Sequence, residues 1–246
     1  MTSSTYHAIP FAAALLSLVG ACATTAPAPA NPRAAAIELG ADLRVIPLAE
    51  GVWLHVSEAE VEGFGNVSGN GLVIVGAGGA LLVDTPWTPG KTAALVRWIE
   101  RDLGRPLTDV VVTHAHGDSA GGVSAIPPGA RLHARREAAA IAAGNGAPFE
   151  ATWLKDATTI HLGGAQVEVF FPGAGHAPDN VVVHLPARRL LFGGCFVKAA
   201  AATDLGNLAD ADVPAWRASI ARVRARYPDL ETVVPGHGAV GGAELL

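Results

Sequence analysis

The chain has 246 residues, a formal net charge of −5 and 50% hydrophobic residues. That length and composition suffice for one sizeable hydrophobic core. The 17 Lys and Arg residues form no basic stripe, so nucleic acid is not an expected partner.

The N-terminus carries an apolar run, "IPFAAALLSLVGA", that ends at Cys22. Its length is typical of a secretory signal and short for a membrane span. "VGAC" resembles the lipobox of bacterial lipoproteins, in which Cys22 is lipidated. An ordinary cleaved secretory signal is the alternative, because no Lys or Arg precedes the run. We expect a lipoprotein-type signal peptide over residues 1–22, a Pro/Ala tether over 23–42 and one domain over 43–246. The mature protein is expected to be a periplasmic monomer, lipid-anchored to the outer membrane.

Strand-like and helix-like segments alternate twice along the rest of the chain. The Gly-rich turn at 76–79 separates the strand-like "GLVIV" and "ALLVDT", which predicts a hairpin. Helices are predicted within 89–104, 135–144 and 214–228. The alternation predicts an α/β protein, and the hairpins favour mixed sheets over purely parallel ones.

Five candidate metal ligands share one sequence context, an apolar strand that runs into a loop. They are His114 and His116 after "VVVT", His176 after "VEVFFPGAG", Cys195 after "RLLFGG" and His237 after "TVVPG". Loops at strand ends are where α/β scaffolds carry reactive groups. If the segment is extended, positions 114, 116 and 118 point to one side, because side chains alternate along a strand. Asp118 then joins the two imidazoles.

Imidazole, thiolate and carboxylate groups together suit zinc. The ligands divide into a neutral set and a set with two negative charges: His114, His116 and His176, and Asp118, Cys195 and His237. Two zinc ions on these sets would leave a positive centre that attracts an anionic substrate. Each residue alone also has a plainer interpretation: His237 as a turn residue, Cys195 as a core residue, and Asp84 as the start of a turn.

The motifs "HAHGD", "GHAPDN", "GGCFVK", "GNLADAD" and "PGHG" resemble, in the same order, those of the metallo-β-lactamases. They are similar to the subclass B1 type, whose second zinc is held by Asp, Cys and His. The resemblance implies a four-layer αβ/βα sandwich, with two mixed sheets flanked by helices and two zinc ions at one edge. The first zinc would be held by the neutral set and the second by the negative set.

The resemblance also implies roles for residues around the metals. Lys198 would bind the substrate carboxylate, Asn207 would polarise the lactam carbonyl, and Asp118 would orient the attacking hydroxide. The segment "EVEGFGNVSGNG" resembles a mobile hairpin that closes over substrate with an apolar face. That face would consist of Val61, Phe64 and Val67. Trp87 would be an aromatic residue beside the pocket, and Asp84 an acid that supports the metal ligands. The remaining histidines, His7, His55, His133, His161 and His184, are assigned to the signal, strands and surface.

These features predict a zinc-dependent β-lactamase that confers antibiotic resistance by hydrolysing penicillins, cephalosporins and carbapenems. The alternatives are another hydrolase of this fold, of the lactonase or thioesterase type, and a non-catalytic zinc-binding lipoprotein. The first typically shows H-x-H-x-D-H, whereas Ser119 follows Asp118 here. Many relatives carry Arg or Lys at that position. Ser119 removes this positive charge from near Cys195, and we expect it to affect how tightly the second zinc is bound. Relatives also continue past "GAVGGAELL" into a C-terminal helix, and we expect uncovered apolar surface where this sequence ends.

Overall fold

The computed structural model describes residues 1–2, 35–138 and 151–246. Its thirteen strands are β1 Ile37–Gly40, β2 Leu43–Ala49, β3 Val52–Val61, β4 Gly65–Gly76, β5 Gly79–Val83, β6 Leu107–Val111, β7 Arg131–Ala134, β8 Thr152–Trp153, β9 Ala157–His161, β10 Gln166–Phe170, β11 Val182–Leu185, β12 Leu190–Gly194 and β13 Thr232–Pro235. Three α-helices lie wholly within the described ranges: α1 Pro89–Asp102, α2 Gly117–Ala120 and α3 Val213–Arg226.

The strands form two mixed sheets. The first has the order β1-β2-β3-β4-β5-β6-β7-β8, antiparallel from β1 to β5 and parallel from β5 to β8. The second has the order β13-β12-β11-β10-β9, in which only the β12–β13 pair is parallel. The predicted α/β class and mixed sheets are confirmed.

Side chains alternate along the strands between two buried layers. In β5, Leu81 and Val83 join the core cluster between the two sheets, whereas Ala80 and Leu82 join the cluster under α1. The second sheet repeats the pattern, because its inward residues join the central cluster and its outward residues, such as Leu191, pack under α3. Period-two alternation with both faces apolar is what a strand covered on both sides requires. The result is four layers, helix–sheet–sheet–helix.

Both long helices start where the sequence places a cap. Thr88 accepts a hydrogen bond from the Lys91 backbone amide at the start of α1, and Asp212 accepts one from the Ala215 amide at the start of α3. Proline stands in the first turn of each, where a missing N–H costs nothing. The helices predicted within 89–104 and 214–228 are therefore confirmed.

The predicted start of the folded domain at residue 43 is wrong. Strand β1 precedes it and pairs with β2, with Ile37 opposite Val45. Leu39 packs against the cluster under α1, so a short edge strand replaces the last part of the predicted tether. Cys22, His7 and the predicted signal peptide lie outside the described residues, as does most of the helix predicted within 135–144. In the described ranges, no helix is long and apolar enough to cross a membrane.

Candidate metal centre

The predicted ligands converge at one edge of the two sheets. His114 and His116 follow β6, Cys195 directly follows β12, and His237 comes two residues after β13. The carboxyl ends of neighbouring parallel strands meet at the same edge, and β12 and β13 are such a pair. His176 enters the same space from the loop between β10 and β11.

Three histidines form one group of donor atoms. The ligating atoms of His114, His116 and His176 all lie within 4.8 Å of one another. The Nδ1 atom of His116 is 3.1 Å from Nε2 of His176. Nε2 of His114 is buried and has no hydrogen-bond partner among the described residues. Since a buried polar nitrogen without a partner is costly, a metal ligated at this atom would remove that cost.

A second group lies beside the first. The Cys195 Sγ atom is 2.7 Å from Asp118 Oδ2 and 3.2 Å from His237 Nε2. His237 Nε2 is 3.1 Å from the same carboxylate oxygen. The donor atoms of His114, Asp118 and Cys195 also lie within 4.8 Å of one another, so the two groups share a border. A group of three imidazoles beside a group of one carboxylate, one cysteine sulfur and one imidazole fits a pair of zinc ions.

Hydrogen bonds orient three of the imidazoles through the ring nitrogen that is not needed for a metal. Ser119 Oγ lies 2.9 Å from Nδ1 of His114, and an Asp210 carboxylate oxygen lies 2.8 Å from Nε2 of His116. Nδ1 of His237 is 2.6 Å from the Ser68 carbonyl, to which it can only donate. Each contact engages one ring nitrogen and leaves the other for a metal, as metal-binding histidines require.

Two of these supports were not predicted from the sequence. Asp210 lies in the "GNLADAD" motif that was quoted for Asn207, and an acid in that motif was the available signal. The Ser68 contact uses a backbone carbonyl, and because every residue has one, the residue type at this position gives no signal.

The geometry predicted for the H-x-H-x-D loop is wrong in one respect. The loop does not stay extended, because His116 caps the short helix α2 and its carbonyl accepts from the amides of Ser119 and Ala120. The helical turn brings an Asp118 oxygen to 3.6 Å from Nε2 of His114, an i,i+4 pair. The turn rather than strand alternation therefore places Asp118 between the two ligand groups.

Asp84 forms hydrogen bonds to the residue that precedes this loop. Its carboxyl oxygens lie 2.7 Å from the Thr113 amide nitrogen and 2.8 Å from Thr113 Oγ1. Asp84 has a left-handed backbone with φ of 58°, and the His55 Nε2–H donates to its carbonyl at 3.0 Å. Burial raises the pKa of Asp84 to about 8.

Burial and neighbouring charges set the protonation states of the metal-free ligands. Burial raises the pKa of Cys195 well above its usual range, and Asp118 raises it further. Burial works against ionisation of Asp118, but His114, His237 and Cys195 outweigh it and lower the pKa of Asp118. Burial also lowers the pKa of His114 to about 4. The metal-free centre thus holds a thiol that donates to a carboxylate, and binding of a metal to Cys195 must release a proton.

A cavity of about 360 Å³ opens above these ligands. Val61, Phe64 and Val67 of the β3–β4 hairpin and Trp87 form its apolar side, and Phe64 is 58% exposed. Lys198 and Asn207 line it with the ligands, and Asn207 accepts a hydrogen bond from the Ala209 amide through its side-chain oxygen. All the residues predicted to contact substrate therefore border one space.

Of the histidines assigned away from the metals, His55, His133, His161 and His184 lie in strands. His133 is paired with buried Asp109 at 2.8 Å, away from the metal groups.

Comparison with known proteins places the chain among relatives along most of its length. Residues 64–237 match the metallo-β-lactamase superfamily. The metallo-β-lactamase type 2 of Bacteroides fragilis is 37% identical over 211 residues, which cover 85% of each chain. That of Bacillus cereus is 40% identical, over 83% of this chain and 80% of the relative. A solved metallo-β-lactamase from Pontibacter korlensis superposes with a TM-score of 0.78 at 41% identity, over 82% of this chain and 94% of that one. On sequence, fold and the clustered His, Asp and Cys side chains together, the chain belongs to the metallo-β-lactamase superfamily.

Proposed function

We propose that the chain is a zinc-dependent β-lactamase that hydrolyses the lactam amide bond of penicillins, cephalosporins and carbapenems, and so confers antibiotic resistance. The observation that carries the proposal is the common space above two adjoining ligand groups, which a lysine and an apolar wall complete. His114, His116 and His176 would hold one zinc, and Asp118, Cys195 and His237 the other. When bound, the two ions supply a Lewis acid and a hydroxide nucleophile at neutral pH.

The chain's own residues then divide the remaining work. Lys198 supplies a positive charge in the cavity for the carboxylate that these antibiotics carry beside the lactam ring. Asn207 lines the same cavity and would direct its amide N–H toward the lactam oxygen as negative charge develops there. Asp118, which its neighbours keep ionised, would orient the attacking hydroxide and pass its proton toward the departing nitrogen.

Val61, Phe64 and Val67 would close over the apolar substituents of the substrate. The exposed Phe64 side chain gains burial when a ligand lies beneath it, which stabilises a closed hairpin.

A lactonase or thioesterase of the same fold is the competing enzyme. The type of site expected for those enzymes carries a further ligand after the loop Asp, but Ser119 is buried there and its hydroxyl faces His114. Cys195 completes the second group instead. These two positions favour the β-lactamase. A zinc-binding lipoprotein without catalysis would not need Lys198 in the cavity.

We also propose that the mature protein is a periplasmic monomer held at the outer membrane by lipid on Cys22. The support is the apolar run and "VGAC" in the sequence. Labelling cells with a palmitate analogue tests this directly, and label should be lost in Cys22→Ala. Label retained in Cys22→Ala, or absent from both proteins, would refute the anchor.

A substrate panel tests the catalytic proposal. Purified protein with added zinc is assayed against a penicillin, a chromogenic cephalosporin, a carbapenem, an acyl-homoserine lactone and a glutathione thioester. We expect kcat/KM on each β-lactam to exceed that on the lactone and the thioester by at least about 10²-fold, since a site built for one polar group rejects analogues that lack it. The reverse ranking would support the competing hydrolase, and no turnover of any substrate would support the non-catalytic protein.

A further inference from the structure

Lys198 is an unusual cation within the described part of the chain, because it is half-buried yet forms no ion pair or side-chain hydrogen bond with another described residue. Burial lowers its pKa, although Cys195, Asp118 and Asp204 act in the opposite direction. A long lysine side chain without an anionic partner has about 2 kcal/mol of rotamer entropy to lose when it is fixed in place. No carboxylate of the described residues therefore fixes the position of this ammonium at the cavity.

The aromatic ring of Trp216 is placed to do so. The Lys198 Nζ atom lies 5.4 Å from the centre of the Trp216 ring, within the range of a cation–π contact. Gly206 also lies close to the ammonium, since a Cβ on this residue would be 3.7 Å from Nζ. The contact is attractive but leaves the lysine charge unneutralised, so the ammonium remains available for an incoming anion.

Trp216 is itself fixed in position. It lies in the first turn of α3 and is 6% exposed. Its indole N–H donates to the Phe196 carbonyl at 2.9 Å, and its ring stacks on Phe196 at an interplanar angle of 22°. Phe196 belongs to the short segment that joins Cys195 to Lys198, so Trp216 couples α3 to the lysine-bearing loop.

We propose that Trp216 is a positioning residue for substrate recognition, which pre-orients the Lys198 ammonium toward the substrate carboxylate through its ring face. The inference rests on the proposed role of Lys198 and adds a residue to it. Pre-orientation matters because a cation that is already placed loses less rotamer freedom when the carboxylate arrives. Loss of the ring should therefore weaken substrate binding more than it slows the chemical step.

A structural role for Trp216 is the competing explanation. The ring also lies 5.8 Å from His176 and packs in the cluster under α3, so its removal could disturb the metal centre or the core. A double-mutant cycle separates the two, because an effect that acts through Lys198 disappears when Lys198 is absent.

The cycle compares wild type, Trp216→Leu, Lys198→Ala and the double variant, each with full zinc. The readouts are KM and kcat for a penicillin and the inhibition constant of its hydrolysed product, which also carries the ring carboxylate. We expect Trp216→Leu to raise KM and the inhibition constant roughly 3- to 30-fold, with kcat within about threefold. In the Lys198→Ala background the same substitution should change KM less than about twofold.

Tyr227→Leu is the matched control. Tyr227 is also 6% exposed and packs in the same cluster, but its ring contacts Phe170 and His184 rather than Lys198. This variant should lower the melting temperature and leave KM unchanged. If Trp216→Leu does not fold, Trp216→Phe replaces it, with a smaller rise in KM of about two- to threefold that again vanishes without Lys198.

The outcomes distinguish the two proposals. If Lys198→Ala alone leaves KM unchanged, the proposed role of Lys198 fails. If Lys198→Ala raises KM but loss of the Trp216 ring does not, or raises it equally in both backgrounds, only the inference about Trp216 is overturned. A loss of bound zinc in Trp216→Leu with normal zinc in Tyr227→Leu would likewise overturn it in favour of a role through His176.

Discussion

Replacement of Asp84 offers a sharp test of how the ligand loop is supported. In the zinc-free protein at pH 7, the raised pKa of about 8 makes Asp84 a neutral acid. Asparagine can reproduce both of its contacts, since Oδ1 accepts from the Thr113 amide and Nδ2 donates to Thr113 Oγ1. Alanine leaves the buried Thr113 N–H without a partner, which costs about 1–3 kcal/mol. It also places an ordinary side chain at φ of 58°, which costs roughly 1 kcal/mol more.

The assay is thermal unfolding of wild type, Asp84→Ala and Asp84→Asn with chelator present. A loss of about 3 kcal/mol predicts that Asp84→Ala melts roughly 6–12 °C lower, whereas Asp84→Asn is at least as stable as wild type. Because the folded pKa of Asp84 lies above its unfolded value of 3.8, its contribution is fully present below pH 4 and is lost as pH rises toward 8. Wild type should therefore lose up to about 1.4 kcal/mol per pH unit relative to Asp84→Asn across that window. An asparagine variant as unstable as the alanine variant, or a wild-type pH slope identical to that of Asp84→Asn, would refute this reasoning.

Three further substitutions probe the fold and the centre. Gly71→Ala places a Cβ against the His55 ring, and this overpacking should cost about 1–3 kcal/mol in denaturant unfolding; unchanged stability would contradict it. Asp109→Asn removes a carboxylate bonded to Arg131 and His133, and should cost about 1–3 kcal/mol at pH 7. Burial opposes ionisation of Asp109, but Arg131 and His133 outweigh it and lower the pKa of this carboxyl in the fold. The difference in stability between wild type and Asp109→Asn should therefore shrink as pH falls below about 4, and should not shrink at higher pH. Cys195→Ser should weaken binding of the second zinc at least about tenfold in a chelator competition and abolish the thiol proton released on binding; unchanged stoichiometry and proton release would remove Cys195 from the ligands.

The sequence predicts those parts of the fold that depend on local residue patterns. Alternating apolar residues and turn glycines locate β4 and β5, and proline with capping residues locates the starts of α1 and α3. The ligand residues are predictable for a similar reason, since each follows an apolar strand and the motifs occur in a family-like order. Their convergence then follows from the carboxyl edge of the sheets.

The features that escape prediction depend on tertiary contacts. β1 is a short, exposed edge strand whose place is set by pairing with β2, and no turn signal separates it clearly from the Pro/Ala segment. The turn at α2 is too short to show helical periodicity, although it decides where Asp118 points. Asp210 contacts His116 from the loop before α3, and Trp216 contacts Lys198 from the first turn of α3. Both distances depend on how this loop and helix pack against the rest of the fold.

Zinc titration of β-lactam hydrolysis tests the central claim most directly. Protein freed of metal by chelation is titrated with zinc while hydrolysis of a chromogenic cephalosporin and bound zinc are measured together. We predict no turnover without metal, and a rise in turnover that levels off once two zinc ions are bound per chain, the second of which Cys195→Ser fails to retain. Hydrolysis that survives complete removal of zinc, or saturation of both ligand groups with no hydrolysis, would contradict the proposed function.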